Sequence, residues 1–286
     1  KRVLILGCGY TGIRVARTLV SLGMSVVATR REMDASVSHA AEPGIEIHPF
    51  DALNPTDLLR LPTLVDSCEA VVFSIPTLRL RGALVERLPD VVRSIPDCGI
   101  RCIYLSTTGV YGNQHQVDAS TFPAPGSPRE WLRTEAENSI LSTFPSSLVL
   151  RPAAIYGPGR GVHVSMREGR YRLTGDGSNY ISRIHVDDLA AHVVAALRSS
   201  LRGAWPVADE SPSTQREMAA FCASLLGLPM PPRAQPGDVS ETLRANRRVD
   251  GAAVRKLLAV TLRYPSFREG VPASIREEEL GRASNP

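Results

Sequence analysis

The stretch Arg2-Val3-Leu4-Ile5-Leu6-Gly7-Cys8-Gly9-Tyr10-Thr11-Gly12 decides the fold. Val3 to Leu6 is a continuous apolar run that stops at glycine, the pattern of a strand buried on both faces. Beyond the glycines, Ile13, Ala16 and Val20 recur at helical spacing until Gly23, which predicts a helix and its C-terminal stop. Gly-x-Gly-x-x-Gly between a buried strand and an apolar-periodic helix is a dinucleotide-binding fingerprint in its required setting. Gly7 permits the tight turn, Gly9 lets a pyrophosphate approach the backbone, and Gly12 lets the helix pack close to the sheet. The helix N-terminal amides then aim at the phosphates. Without a ligand the same stretch would be no more than a glycine-rich turn.

Strand and helix signals alternate outward from this stretch. Strands are predicted at 25–28, 45–49, 70–75, 100–105 and 147–150, and helices at 84–95, kinked or split at Pro89, and at 128–143. Repeated βα units of this length imply an α/β, Rossmann-type, doubly wound parallel sheet. After Gly157-Pro158-Gly159 the pattern is less regular, with a turn-rich stretch at 174–180. Helices are expected at 186–197, 214–226, 249–258 and 266–279, the last interrupted near Pro272, with a late strand at 205–208 and a proline-rich loop at 230–237. The tail from Ala283 has no apolar anchor and is expected to fray. Residues 1–152 therefore read as the dinucleotide-binding domain. Residues 153–286 read as a smaller, mixed substrate-binding region partly interleaved with it.

The chain has 286 residues, 43% hydrophobic and 22% charged, with a net charge of +4. That composition excludes a disordered, fibrous or coiled-coil protein. The basic residues are scattered, which argues against nucleic acid as a partner. No apolar run reaches the ~18 residues of a membrane helix, and the immediate strand argues against a leading signal peptide. Five cysteines, Cys8, Cys68, Cys98, Cys102 and Cys222, without a Cys-x-x-Cys pair, point to reduced thiols in a cytoplasm and to no metal site.

The second strand should end on the residue that reads the adenosine ribose. An NAD site usually places Asp or Glu there; this chain reads Ala28-Thr29-Arg30-Arg31, and Glu32 comes later. Two guanidinium groups suit a 2′-phosphate, so NADP is expected over NAD; a solvated basic turn is the bland alternative. Asp51, followed by Ala52 and Leu53, leaves the third strand as an acceptor for the adenine amino group, or else as a helix N-cap or turn aspartate. Ser74, Ile75 and Pro76 leave the fourth strand at its carboxyl end, where ligands of such sheets sit.

The fingerprint, Leu105-Ser106-Thr107-Thr108-Gly109-Val110-Tyr111-Gly112, Leu150-Arg151-Pro152-Ala153-Ala154-Ile155-Tyr156-Gly157-Pro158-Gly159 and Arg183-Ile184-His185-Val186-Asp187-Asp188-Leu189-Ala190 occur in the order in which similar motifs occur in extended short-chain dehydrogenases/reductases. The resemblance to these epimerase- and dehydratase-like enzymes covers roughly residues 2–209. It implies an oxidoreductase or epimerase/dehydratase-like activity on a small molecule, with a nucleotide-sugar-like compound as one candidate. A homodimer is compatible with it. Within the third motif Arg151 and Ala153 join the expected cofactor-binding residues.

The family pattern implies a Ser or Thr after the fifth strand, here resembling Thr107, then Tyr-x-x-x-Lys on the next helix. That helix reads Arg129-Glu130-Trp131-Leu132-Arg133-Thr134-Glu135-Ala136-Glu137 and contains neither Tyr nor Lys. Aligned with that motif, Trp131 replaces the Tyr and Glu135 the Lys. Indole nitrogen donates but is no ordinary proton shuttle, whereas a desolvated Glu135 would serve as a base. Tyr111 is a further acid candidate, set against a packing role, as is Tyr156. His115 and His163 are expected in loops near the cleft, and His185 as the organiser of the turn before its helix. Arg160 and Arg183 are placed to meet an anionic substrate or to form surface ion pairs. The missing dyad leaves a second class open: a cofactor-binding sensor or regulatory protein, with an effector in place of a substrate and no turnover.

Overall fold

Seven apolar runs pair into one parallel sheet: β1 (Arg2–Leu6), β2 (Ser25–Arg30), β3 (Ile45–Pro49), β4 (Ala70–Phe73), β5 (Arg101–Leu105), β6 (Ser147–Pro152) and β7 (Gly203–Val207). Their order across the sheet is β7-β6-β5-β4-β1-β2-β3. The computed structural model describes residues 1–31, 43–96, 99–235 and 244–283. In β1, Val3 pairs with Val26 of β2 and with Ala70 of β4. Strand order reverses between β1 and β4, which opens a crevice over their carboxyl ends.

Alternation along β1 divides the core. Val3 and Ile5 join one apolar layer with Val15, Ala16, Leu189 and Val193. Leu4 and Leu6 join the other with Val91, Tyr104, Ala136 and Ile140. Helices α1 (Tyr10–Ser21), α2 (Leu88–Arg93), α3 (Pro128–Thr143) and α4 (Val186–Leu197) supply these faces, as side chains of alternating direction on a strand require. Ser127 caps α3 in a capping box with Glu130, with Pro128 opening the helix, a combination that fixes a helix start.

β7 and α4 come from beyond residue 152 yet complete this layered unit. β7 pairs with β6, and α4 packs in the α1 layer. The rest of the second half adds short strand pairs, Ala154–Tyr156 with Arg183–His185 and Tyr180–Ile181 with Ser213–Thr214. It also adds α5 (Gln215–Leu226) and α6 (Phe267–Ala283), packed through Met218, Cys222, Phe267 and Val271.

Four expectations change. Residues 84–95 are not one kinked helix: Leu78–Leu80 and Ala83–Val85 form a hairpin and α2 begins at Leu88. Pro89 sits in its first turn, where a missing N–H costs nothing. The 249–258 helix starts only at Ala252, because Arg248–Val249 pairs with Gln116–Val117. α6 runs through Pro272 unbroken, anchored by buried Phe267, Gly270, Val271 and Ser274. An unforeseen helix, Val162–Arg167, contains His163, which is therefore not in a loop. Cys98, Glu32, the end of the 230–237 loop and residues 284–286 lie outside the described residues. Among the described residues, no helix is long and apolar enough to cross a membrane.

Candidate functional site

The three glycines of the opening motif do different jobs. Gly7 adopts φ +92°, and a Cβ there would lie 2.8 Å from the Ser74 carbonyl carbon and oxygen. The loop thus presses directly on the end of β4. A Cβ on Gly12 would meet the Gly7 oxygen at 2.8 Å and Ile5 Cγ2 at 3.3 Å, so Gly12 sets how closely α1 approaches the sheet. A Cβ on Gly9 would meet nothing within 4 Å. Gly9 also caps α1 without a side chain, and the first turn carries no acid. The helix therefore presents first-turn amides with no side-chain acceptor supplied by the cap.

These residues border a cavity of about 460 Å³ lined by Gly7, Cys8, Gly9, Tyr10, Arg30, Arg31, Asp51, Ala52, Ser74, Ile75 and Pro76, together with Ile13, Thr29, Phe50 and Leu78. Most of the expected cofactor-binding residues are brought together here. Thr11, Gly12, Leu53, Arg151 and Ala153 are not on its wall. Thr29 was not singled out from sequence, yet it organises the loop: its hydroxyl accepts from Gly7 N at 3.1 Å and its carbonyl from Cys8 N at 2.7 Å. Arg30 reaches back across the same loop, with Nε donating to the Cys8 carbonyl at 2.7 Å. Asp51 Oδ1 accepts from Leu53 N at 3.0 Å, so this carboxylate shapes its own turn while bordering the cavity.

The helix after β5 turns a different face inward than the dyad alignment requires. At 100° per residue Trp131 and Glu135 share one face, and Arg133 and Glu137 lie nearly opposite. The structure buries the second pair. Trp131 is 57% exposed and Glu135 also faces solvent, whereas Arg133, Ala136, Glu137 and Ile140 are buried. Arg133 donates to the Leu105 carbonyl at 3.0 Å and to the Ile75 carbonyl at 3.3 Å, and pairs with Glu86 at 3.2 Å. It ties the carboxyl ends of β4 and β5 together below the cavity. Glu137 accepts from Ser106 Oγ at 2.5 Å and from Arg151 Nη2 at 2.7 Å. The expected cofactor residue Arg151 is thus held in a buried ion pair, and it also donates to the Tyr111 hydroxyl at 3.1 Å. Tyr111 is fully buried, burial raises its phenol pKa, and the packing role prevails. Ala153 packs beside it with Val110 and Val117. The signal that points Arg133 inward is the spacing of Ala136 and Ile140, which sets the buried face of α3.

Thr107 Oγ1 accepts from Gly109 N at 3.1 Å, which leaves its hydroxyl proton available to donate. His185 caps α4 through Asp187 N, as its turn-organising role requires, and burial pushes its pKa down to about 3. His163 is buried and lies 2.9 Å from Glu278 Oε1. Arg183 is also buried and donates to the Ile181 carbonyl and Ser213 Oγ, both at 2.7 Å, which rules it out as a surface contact for substrate. His115 Nδ1 lies 2.7 Å from the Asn246 carbonyl.

Comparisons with known proteins agree with this geometry. The model of the NAD dependent epimerase/dehydratase family matches residues 3–206. A 3-diazoavenalumate denitrifying reductase from a Streptomyces species is 29% identical over 272 residues, covering 85% of this chain and 84% of its own. A functionally unknown conserved protein from Silicibacter pomeroyi is similar in structure, with a TM-score of 0.76, 28% identity and coverage of 97% and 99% of the two chains. UDP-glucuronic acid 4-epimerase from Bacillus cereus, solved in complex with NAD, shares the fold at a TM-score of 0.80 with 17% identity, covering 98% of this chain and 99% of its own. With the fingerprint, the strand order and a family match over well more than half its length, the chain belongs to the NAD dependent epimerase/dehydratase family.

Proposed function

We propose that the protein is an NADP-dependent reductase that transfers hydride to a small molecule bound beside Thr107. One observation carries the cofactor choice: Arg30 and Arg31 line the cavity where β2 ends, a place at which an NAD site carries an acid. The residues present fit a dinucleotide. Space is open over Gly9, α1 begins without a side-chain cap, and Ser74, Ile75 and Pro76 wall the far side. Reduction, rather than epimerisation, is favoured by the reductase relative.

When bound, the dinucleotide supplies the hydride. Gly7, Gly9 and the first-turn amides of α1 hold its diphosphate, and Arg30 and Arg31 its 2′-phosphate. Thr107 donates a hydrogen bond to the substrate oxygen or nitrogen while keeping its proton. α3 has neither Tyr nor Lys, so the acceptor is one that takes hydride without a phenol acid beside it, and solvent completes any protonation. The reading is tested by calorimetric titration with NADP and NAD. A ten- to a hundredfold preference for NADP is expected, on the scale of about 1.5–3 kcal/mol for charge-assisted contacts. Arg30→Ala with Arg31→Ala should erase it. Equal affinities in the native protein would refute the cofactor assignment, and binding without oxidation of NADPH across a panel of electrophiles would favour a non-catalytic binder.

A further inference from the structure

Arg160 sits on the turn that follows the short strand Ala154–Tyr156, in the second region of the chain. We propose that it is the cation that closes over the diphosphate of the bound dinucleotide, so that the phosphate site is built from both halves of the sequence. The proposal rests on the reading of the cavity as a dinucleotide site.

The glycine loop supplies no cation for a diphosphate. The nearest candidate on α1 is Arg14, and it is committed to Asp187 at 3.3 Å and Glu277 at 2.6 Å. Helix amides offer only about half an elementary charge, against the charges of a diphosphate. A cation for the diphosphate would therefore come from outside α1.

The turn at 157–161 is built to deliver one. Gly157 N donates to the Arg160 carbonyl at 2.9 Å and Arg160 N to the Gly157 carbonyl at 3.0 Å, which closes the turn on itself. A Cβ at Gly157 would lie 2.7 Å from the Tyr10 hydroxyl and 2.7 Å from Val186 Cγ1, so only glycine lets the turn press against Tyr10. The Tyr10 hydroxyl donates to the Pro158 carbonyl at 3.0 Å. On the other side Glu278 of α6 accepts from Gly159 N at 2.7 Å and also holds His163 and Arg167. The backbone of the turn is therefore clamped from two directions.

The Arg160 side chain remains uncommitted. It is exposed, its guanidinium lies 5.3 Å from the centre of the Tyr10 ring, and it makes no ion pair among the described residues. The Tyr10 ring is a wall of the cavity and belongs to the residue directly after Gly9. A cation–π contact of this kind orients a guanidinium without neutralising it. The charge is thus held at the edge of the cavity beside the first turn of α1, ready for an anion.

The test is calorimetric titration of the native protein and Arg160→Ala with two ligands: NADP, which carries the diphosphate, and adenosine 2′-monophosphate, which lacks it. Thermal unfolding of the unliganded variant checks that the fold is kept. Loss of Arg160 should weaken NADP about tenfold, the scale of one charge-assisted hydrogen bond, and leave adenosine 2′-monophosphate unchanged. The difference should shrink in high salt, because the site is exposed, and Arg160→Lys should recover part of it. Unchanged NADP affinity in Arg160→Ala overturns the proposal, including the case in which only the KM of an anionic substrate rises. Equal weakening of both ligands also overturns it. A native protein that binds neither ligand overturns the cofactor reading itself, which separates the two failures.

Discussion

Two glycines of one loop should fail in opposite ways. Gly9→Val is expected to lose less stability than Gly7→Ala, because its side chain meets no neighbour. Its Cβ meets nothing within 4 Å. The same side chain occupies the space through which a diphosphate must reach the backbone, so NADP affinity should fall at least a hundredfold, or about 2.7 kcal/mol. Gly7→Ala should do the reverse in the unliganded protein. Its φ of +92° costs an L residue roughly 1–2 kcal/mol. Its Cβ would stand 2.8 Å from the Ser74 backbone, which adds roughly 1–3 kcal/mol of overpacking. The sum, about 2–5 kcal/mol, corresponds to a fall in Tm of roughly 3–8 °C for a chain of this size. The assay is paired: thermal unfolding without ligand and calorimetric titration with NADP for both variants. A Gly9→Val protein that binds with native affinity would refute the reasoning, because the open space over Gly9 would then not be the phosphate site.

The parallel core was legible because it follows from local patterns that nothing overrides. Val3–Leu6 reads as a buried strand and is one, and Ser25–Arg30 and Ile45–Pro49 follow at the expected places. The Gly7-to-Gly12 loop carries its own conformational demands in its composition, so the cavity wall could be named in advance. What failed was orientation. A family motif places Trp131 and Glu135 by count, but a helix is oriented by the side it must bury, and Ala136 and Ile140 fix that side. Arg133 and Glu137 escaped notice because charged residues are read as solvent-facing unless partners are seen. Their partners Glu86, Ser106 and Arg151 are 47, 31 and 14 residues away. Such pairing is tertiary, and no local spacing reports it. The 84–95 segment failed for a related reason: Leu84 and Val85 pair across a tight turn at Arg81 and Gly82, both at positive φ, and a strand pair this short has little periodicity to show.

Glu137→Ala should cost about 3–5 kcal/mol in urea unfolding, the usual cost of leaving one partner of a buried ion pair alone; Glu137→Leu with Arg151→Met should recover much of it, and a loss below about 1 kcal/mol for the single variant would show that the pair is solvated. The last prediction concerns pH. Asp209 is 2% exposed, its Oδ1 accepts from Ser211 N at 3.1 Å, and its buried Oδ2 has no hydrogen-bond partner among the described residues. Burial pushes its carboxyl up to about 7, against opposing pulls from the Ser211 amide and from Arg183. A carboxyl whose pKa is raised in the folded state binds more protons folded than unfolded, so stability falls as pH rises. The contribution is fully present below about pH 4 and is lost progressively up to about pH 7, with a limiting cost on the order of 4 kcal/mol. Asp209→Asn keeps the acceptor for Ser211 and cannot ionise. The native protein should therefore lose stability relative to Asp209→Asn between pH 5 and pH 8, while the two converge towards a constant difference at lower pH. Taking the difference between the two unfolding curves cancels every other titrating group. If that difference stays flat from pH 5 to pH 8, Asp209 is not changing its charge in this range, and the buried carboxyl must be held ionised by Arg183 despite its unpartnered oxygen.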